Sequence, residues 1–94
     1  MDKIPNLNWA LAKVVKEARE TAGLTQNELA GFSGLSEIYL SSLERGQRGD
    51  SLNALMQIAG VLKLEASELV RRVEAELKNN PQPPDIKTGR PRKA

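Results

Sequence analysis

The sequence contains no cysteine and no histidine. Without cysteine there is no disulfide framework and no thiolate chemistry. Without histidine the usual general base and the commonest zinc ligand are both missing. We therefore expect a protein that is not an enzyme and that needs no metal or other cofactor. The absence of cysteine also makes a reducing cytoplasm the expected compartment.

Long apolar runs are absent as well. No stretch reaches the roughly 18 consecutive apolar residues of a membrane-spanning helix, so no contact with a membrane is expected. The 94 residues, 39% hydrophobic and 28% charged, have the size and composition of one globular domain.

An excess of positive over negative charge is found only in the last fourteen residues. The net charge is +2, but residues 1–80 hold ten Lys/Arg against eleven Asp/Glu, whereas residues 81–94 hold four against one. The segment NPQPPDIKTGRPRKA also has four prolines and one aliphatic side chain other than alanine. Such a composition cannot bury enough apolar area to offset the entropy of ordering it. We predict a folded domain over residues 1–79 and a disordered, proline-rich basic tail over 80–94.

The apolar residues before that tail recur at spacings of three and four, which is typical of helices. Glycines 23, 34 and 46 are placed to end the first three helices. We expect a first helix near residues 8–22 and a second from a Thr25–Glu28 capping box to about Ser33. A third should run from a cap at Ser36 to near Arg45, and a fourth and a fifth should follow caps at Ser51 and Ser67. The predicted buried stripe of the fourth helix is Leu52, Leu55, Ile58, Ala59 and Leu62. The fifth helix has an apolar stripe of Leu69, Val70, Val73 and Leu77, which would join the core and could also serve to pair two copies of the chain.

Three residues between positions 26 and 45 have the spacing of a helix-turn-helix motif. Ala30 is small enough for two helices to cross closely, and Gly34 tolerates positive φ in the turn. Leu40, ten residues after Ala30, can hold the next helix onto the first two. In this arrangement the second helix of the motif enters the major groove of DNA.

The segments GLTQNELAGFSGLSEIYLSSLERGQR and SLNALMQIAGVL resemble the phage repressor/Cro (XRE) family over about residues 8–72. The resemblance implies an all-α, five-helix, lambda-repressor-like fold and a transcriptional regulator that binds duplex DNA in a sequence-specific way. It also implies a homodimer on a two-fold symmetric operator.

The resemblance further implies roles for individual residues. Arg19 and Glu44 would form a structural ion pair between the first helix and the recognition helix. The positions that would read bases are Glu37, Ile38, Ser41 and Ser42. The positions that would contact the DNA backbone are Gln26, Ser36, Tyr39, Arg45, Gln47 and Arg48.

Several alternatives stay open from the residues alone. Glu37 could accept a hydrogen bond from cytosine N4, or only favour the positive end of its helix dipole. Ile38 could contact a thymine methyl group or be an exposed aliphatic side chain of no consequence. Family members often carry Gln, Arg or Lys at the positions of Glu37 and Ser42, and this chain carries neither an amide nor a cation there.

The tail and the near-neutral motif leave two further alternatives. TGRPRKA resembles an AT-hook, in which Arg90, Arg92 and Lys93 would contact DNA, and the alternative is a solubilising basic tail. The rival to DNA binding is a protein-interaction module of the same fold, as in antitoxins and antirepressors, with a protein partner on the helix faces.

Overall fold

The computed structural model describes residues 4–49 and 51–79. Within these ranges the chain forms five helices and no strand, in the order α1 (Leu7–Thr21), α2 (Gln26–Ser33), α3 (Glu37–Glu44), α4 (Leu52–Leu62) and α5 (Ala66–Asn79). This confirms the all-α, five-helix prediction. The predicted tail, residues 80–94, lies outside the described residues.

Short polar side chains begin the three central helices, as the sequence predicts. Thr25 and Glu28 form the full capping box of α2, with hydrogen bonds of 3.0 and 2.9 Å to each other's backbone N–H groups. Ser36 Oγ accepts from the N–H of Tyr39 at 2.9 Å, and Ser51 Oγ accepts from the N–H of Ala54 at 3.0 Å. Each cap satisfies a backbone donor that has no partner inside the helix.

The ends of the first two helices depend on glycine. Gly23 and Gly34 adopt φ values of 77° and 79°, a left-handed conformation that glycine reaches without steric cost. The N–H after each glycine then bonds back to its helix, with Leu24 donating to the Arg19 carbonyl and Leu35 to the Ala30 carbonyl. The chain therefore turns sharply between α1, α2 and α3.

The predicted cap of the last helix was wrong. α5 begins at Ala66, so Ser67 is the second residue of the helix and not its cap. The first backbone bonds of this helix go from the N–H groups of Glu68 and Leu69 to the Glu65 carbonyl. The other predicted boundaries lie within one residue of the observed ones.

The core lies where α1 packs against α3 and α5, and where α2 packs against α3 and α4. Ala30 on α2 is only 3% exposed, and its small side chain lets α2 pack closely against its neighbours. Leu40, on the inner side of α3, is fully buried. The largest fully buried side chains come from all five helices: Val15, Leu29, Leu40, Leu43, Ile58 and Leu69. Apolar burial of this kind is the main driving force for folding.

The predicted burial of Leu52 was wrong, and one residue of the apolar stripe of α5 is also exposed. Leu52 is 70% exposed and Val70 is 44% exposed, while Leu62 and Leu77 are only partly buried. Leu52 is the first residue of α4, where the helix has not yet reached the core. None of the helices in the described part of the chain is long and apolar enough to span a membrane.

Candidate nucleic-acid interface

The outer side of α3 carries an open cleft of about 320 Å³ between the start of α2 and the exposed edge of α3. Its lining residues are Gln26, Glu37, Ile38, Ser41 and Arg45. α3 exposes this side because Leu40 and Leu43, on the opposite side, are fully buried. The helix therefore presents one polar edge to solvent while its apolar edge holds it on the core.

The cleft brings together three of the four predicted base-reading residues. Glu37 is the first residue of α3 and is exposed, and Ile38 beside it is 78% exposed. Ser41 lies one turn further along the helix and lines the same cleft. Ser42 is partly buried and is not among the lining residues. The side chains lining the cleft thus offer an amide, a carboxylate, an aliphatic group, a hydroxyl and a guanidinium.

The cationic side chains beside the cleft are held by their neighbours. Arg45 donates from Nη1 to Ser41 Oγ at 2.9 Å and from Nη2 to Gln47 Oε1 at 3.3 Å. The guanidinium of Arg48 lies 4.8 Å from the centre of the Tyr39 ring, a cation–π distance. These contacts restrict two flexible side chains near the end of α3, although both arginines remain exposed.

Beneath the cleft, Arg19 and Glu44 form a buried ion pair. Arg19 donates from Nε to Glu44 Oε2 at 2.8 Å and from Nη2 to Glu44 Oε1 at 3.0 Å, while its Nη1 donates to the Leu24 carbonyl at 2.7 Å. The two side chains are 11% and 2% exposed. The hydrogen bond to Glu44 raises the pKa of Arg19 above its ordinary value, so this guanidinium is always charged. The pair ties the end of α1 to the end of α3.

One contact of this network was missed by sequence reasoning. Gln26 Nε2 donates to Glu44 Oε1 at 2.9 Å, so the same carboxylate also binds the first residue of α2. The sequence predicts only a DNA-backbone role for Gln26. No local pattern could have revealed this contact, because its partners are 18 residues apart and meet only when α2 and α3 have docked.

The remaining predicted site residues fall into two groups. Ser36 caps α3, and Gln47 follows the helix and accepts from Arg45, so both lie near the ends of α3. Arg90, Arg92 and Lys93 lie outside the described residues. Within the described ranges no group of acidic side chains is arranged to hold a metal ion.

The arrangement of α2, the glycine turn and α3 defines a helix-turn-helix protein. A family model described as helix-turn-helix matches residues 15–69. The chain belongs to this family, and the resemblance to its phage repressor/Cro (XRE) type is confirmed.

Proteins from several bacteria are similar in sequence to this chain. An uncharacterised HTH-type transcriptional regulator of Mycobacterium tuberculosis is 43% identical over 58 residues, which is 62% of this chain and 41% of that protein. The chain therefore spans about two-fifths of the length of this relative.

Two solved structures are similar over most of the fold. The clp gene regulator ClgR from Corynebacterium glutamicum superposes with a TM-score of 0.77 at 28% identity, covering 84% of both chains. The restriction-modification controller protein C.AhdI from Aeromonas hydrophila has a TM-score of 0.62 at 38% identity, covering 64% of this chain and 91% of that one.

Proposed function

We propose that this chain is a transcriptional regulator that binds duplex DNA in a sequence-specific way. The observation that carries the proposal is the exposed cleft on the second helix of the helix-turn-helix motif. A helix at this place in the motif enters the major groove, where each base pair presents a distinct pattern of donors, acceptors and methyl groups. The relatives named as transcriptional regulators and the controller protein support the same function.

In this proposal Glu37 and Ile38 read neighbouring features of the groove. The ionised Glu37 carboxylate can only accept hydrogen bonds, and the major-groove donors are cytosine N4 and adenine N6. Cytosine N4 suits a carboxylate better, because adenine places the acceptor N7 beside its donor. Ile38, exposed beside it, contacts a thymine methyl group. Ser41 and Ser42 complete the base-reading edge of α3.

Backbone contacts would come from both ends of the motif. Gln26 and the cap residue Ser36 lie at the starts of α2 and α3, where free backbone N–H groups favour phosphate. Arg45, Gln47 and Arg48 would contact the phosphates beside the other end of α3, and Tyr39, in its first turn, would contact a further phosphate. Because neighbouring side chains already hold Arg45 and Arg48, less side-chain entropy is lost when they bind phosphate.

The basic tail would add attraction that does not depend on sequence. Residues 81–94 carry four Lys/Arg and one Asp, including Arg90, Arg92 and Lys93. Each cation that neutralises a phosphate releases counterions and makes affinity fall with salt. Removal of residues 81–94 should therefore weaken binding to all duplexes and flatten the salt dependence. An unchanged salt slope would leave the solubilising role.

We also propose that the protein binds as a homodimer. Three apolar side chains on α4 and α5 are exposed, namely Leu52 (70%), Met56 (57%) and Val70 (44%). Val70 also borders an apolar groove of about 220 Å³, whose other lining includes Leu7, Leu55, Leu69 and Val73. A two-fold related copy could cover these side chains and the groove, and burial of their apolar area would favour the dimer.

The test of the proposed function is selection of bound duplexes from a random pool by the full chain at physiological salt. Recovery of a two-fold symmetric motif supports a dimeric regulator. Glu37→Gln should then change the base preferred at one position of each half-site, and an identical preference would reduce Glu37 to a helix-dipole role. Recovery of no motif would remove sequence-specific binding from the proposal.

The second candidate is a protein-interaction module without catalytic activity. The motif itself is not basic, since Leu24–Arg48 holds two arginines and three glutamates, and Phe32 on α2 is 67% exposed. A protein partner that binds the full chain with DNA absent would favour this candidate. For either function we propose a cytoplasmic location.

A further inference from the structure

The carboxylate of Glu44 has more partners than an ion pair requires. Its Oε2 accepts from Arg19 Nε, whereas its Oε1 accepts both from Arg19 Nη2 at 3.0 Å and from Gln26 Nε2 at 2.9 Å. The Glu44 side chain is only 2% exposed. A buried carboxylate with three short, charge-assisted or amide donors has little freedom to move. Glu44 is therefore a fixed point between α1, α2 and α3.

Gln26 connects this fixed point to the candidate interface. Its side chain lines the cleft together with Glu37, Ile38, Ser41 and Arg45. A glutamine amide has one acceptor oxygen and two N–H donors, and a free amide can turn over to exchange their positions. An ionised carboxylate accepts hydrogen bonds only, so Glu44 must be met by the NH2 group of Gln26. The amide is thereby restricted to one of its two orientations.

We infer that Glu44 is a positioning residue of the DNA-reading surface, acting through Gln26. By holding one N–H of the amide, Glu44 sets where the second N–H and the Oε1 acceptor of Gln26 are presented. The ion pair with Arg19 holds the carboxylate in place, so one buried group both joins the helices and orients a contact residue. The inference deepens the proposed function and rests on DNA binding by the cleft.

The inference gives a direct spectroscopic expectation for the protein without DNA. In the full chain, the two side-chain Nε2 protons of Gln26 should have widely separated NMR shifts, because only one of them bonds to a carboxylate. In Glu44→Gln this separation should shrink, since an uncharged amide partner allows both orientations. Glu28→Gln is the matched control, because Glu28 is also a motif glutamate, but its carboxylate binds the Thr25 N–H. Identical Gln26 signals in the wild type and Glu44→Gln would overturn the inference.

A double-mutant cycle tests the consequence for DNA binding. With the selected duplex, at a temperature where all variants are folded, Gln26→Ala should weaken binding about tenfold in the wild type, a loss typical of one charged hydrogen bond. In the Glu44→Gln background the same change should cost less than about twofold, because the amide is no longer held. In the Glu28→Gln background the loss should stay near tenfold.

The cycle separates positioning from a merely structural role. If Glu44 only stabilised the fold, Gln26→Ala would weaken binding equally in both backgrounds, and that result would overturn the inference. If the wild type selects no duplex at all, the proposed function fails. The Gln26 proton shifts still decide in that case whether Glu44 orients the amide.

Discussion

At the scale of single residues, the charges of this motif are used mainly for internal contacts. Glu44 binds Arg19 and Gln26, Glu28 closes a capping box, and Arg45 is shared between Ser41 and Gln47. Fewer acidic groups therefore face a ligand than the near-neutral charge of the motif suggests. Of the three glutamates between Leu24 and Arg48, only Glu37 lines the cleft.

The first prediction concerns the stability of the buried ion pair. Glu44→Ala should lower the free energy of unfolding by about 3–5 kcal/mol, because it leaves the Arg19 guanidinium buried without its carboxylate. Glu20→Ala is the control, since Glu20 is also next to Arg19 but lies at 4.0 Å with its side chain 55% exposed. That change should cost less than about 1 kcal/mol. Urea unfolding of both variants checks the difference, and equal losses would contradict it.

A second prediction concerns the titration of Glu68. Hydrogen bonding to Arg72, followed by the charges of Arg71 and Arg72, holds the pKa of Glu68 below its ordinary value of 4.5. A carboxyl with a lowered pKa in the folded state stabilises that state at higher pH, and this contribution is lost as the pH falls through the folded pKa. An NMR titration of Glu68 should therefore have its midpoint below 4.5. Arg72→Ala should raise the midpoint, whereas Lys78→Ala should leave it unchanged.

At the scale of helices, caps decide where the elements begin and end. Three of the predicted caps are confirmed, because a serine or threonine followed three residues later by a free N–H is a local pattern. The prediction for α5 was wrong, since the helix starts one residue earlier than its serine. A cap at Ser67 would start the helix at Glu68, two residues later than the observed start at Ala66. Which start is used depends on how α5 docks onto α1, and no local pattern records that.

The two serines allow a matched test. Ser51→Ala should destabilise the protein by about 1 kcal/mol, because the N–H of Ala54 loses its acceptor. Ser67→Ala should change stability by no more than about 0.5 kcal/mol, because alanine is well tolerated inside a helix. Thermal unfolding of the two variants gives the comparison. A larger loss for Ser67→Ala would restore Ser67 as a cap.

At the scale of the whole molecule, an apolar surface stays exposed after the core is complete. α4 contains no charged residue from Leu52 to Leu62, and its exposed side includes Leu52 and Met56. Val70 of α5 borders the neighbouring groove. The proposed dimer is assigned to this surface, because exposed apolar side chains can be covered by a second copy of the chain.

The prediction for this surface is a change of assembly without a change of fold. The double change Leu52→Gln and Met56→Gln should shift the full chain from dimer to monomer in sedimentation. It should leave the unfolding of the monomer nearly unchanged, because neither side chain belongs to the core. The same two changes at buried positions, Leu55→Gln and Ile58→Gln, should instead unfold the domain. A wild-type chain that is monomeric at all concentrations would remove the dimer from the proposal.

Much of the molecule follows from local sequence. The helical spacing, the capping box at Thr25 and the positive-φ positions Gly23 and Gly34 each act within a few residues, so the five helices and the helix-turn-helix motif could be predicted. The placing of α3 followed from the same spacing, since Leu40 was expected to hold this helix onto the first two and is fully buried. These features depend on sterics and hydrogen bonds between near neighbours along the chain.

Only the tertiary structure decided the contacts between residues that lie far apart in the chain. The exposure of Leu52 and Val70 depended on which part of each apolar stripe the core could reach. The bond between Gln26 and Glu44 depended on the docking angle of α2 and α3. Periodicity assigns a residue to a side of its helix, but which neighbour covers that side is set by packing of the whole core, and this packing is not encoded in any single segment.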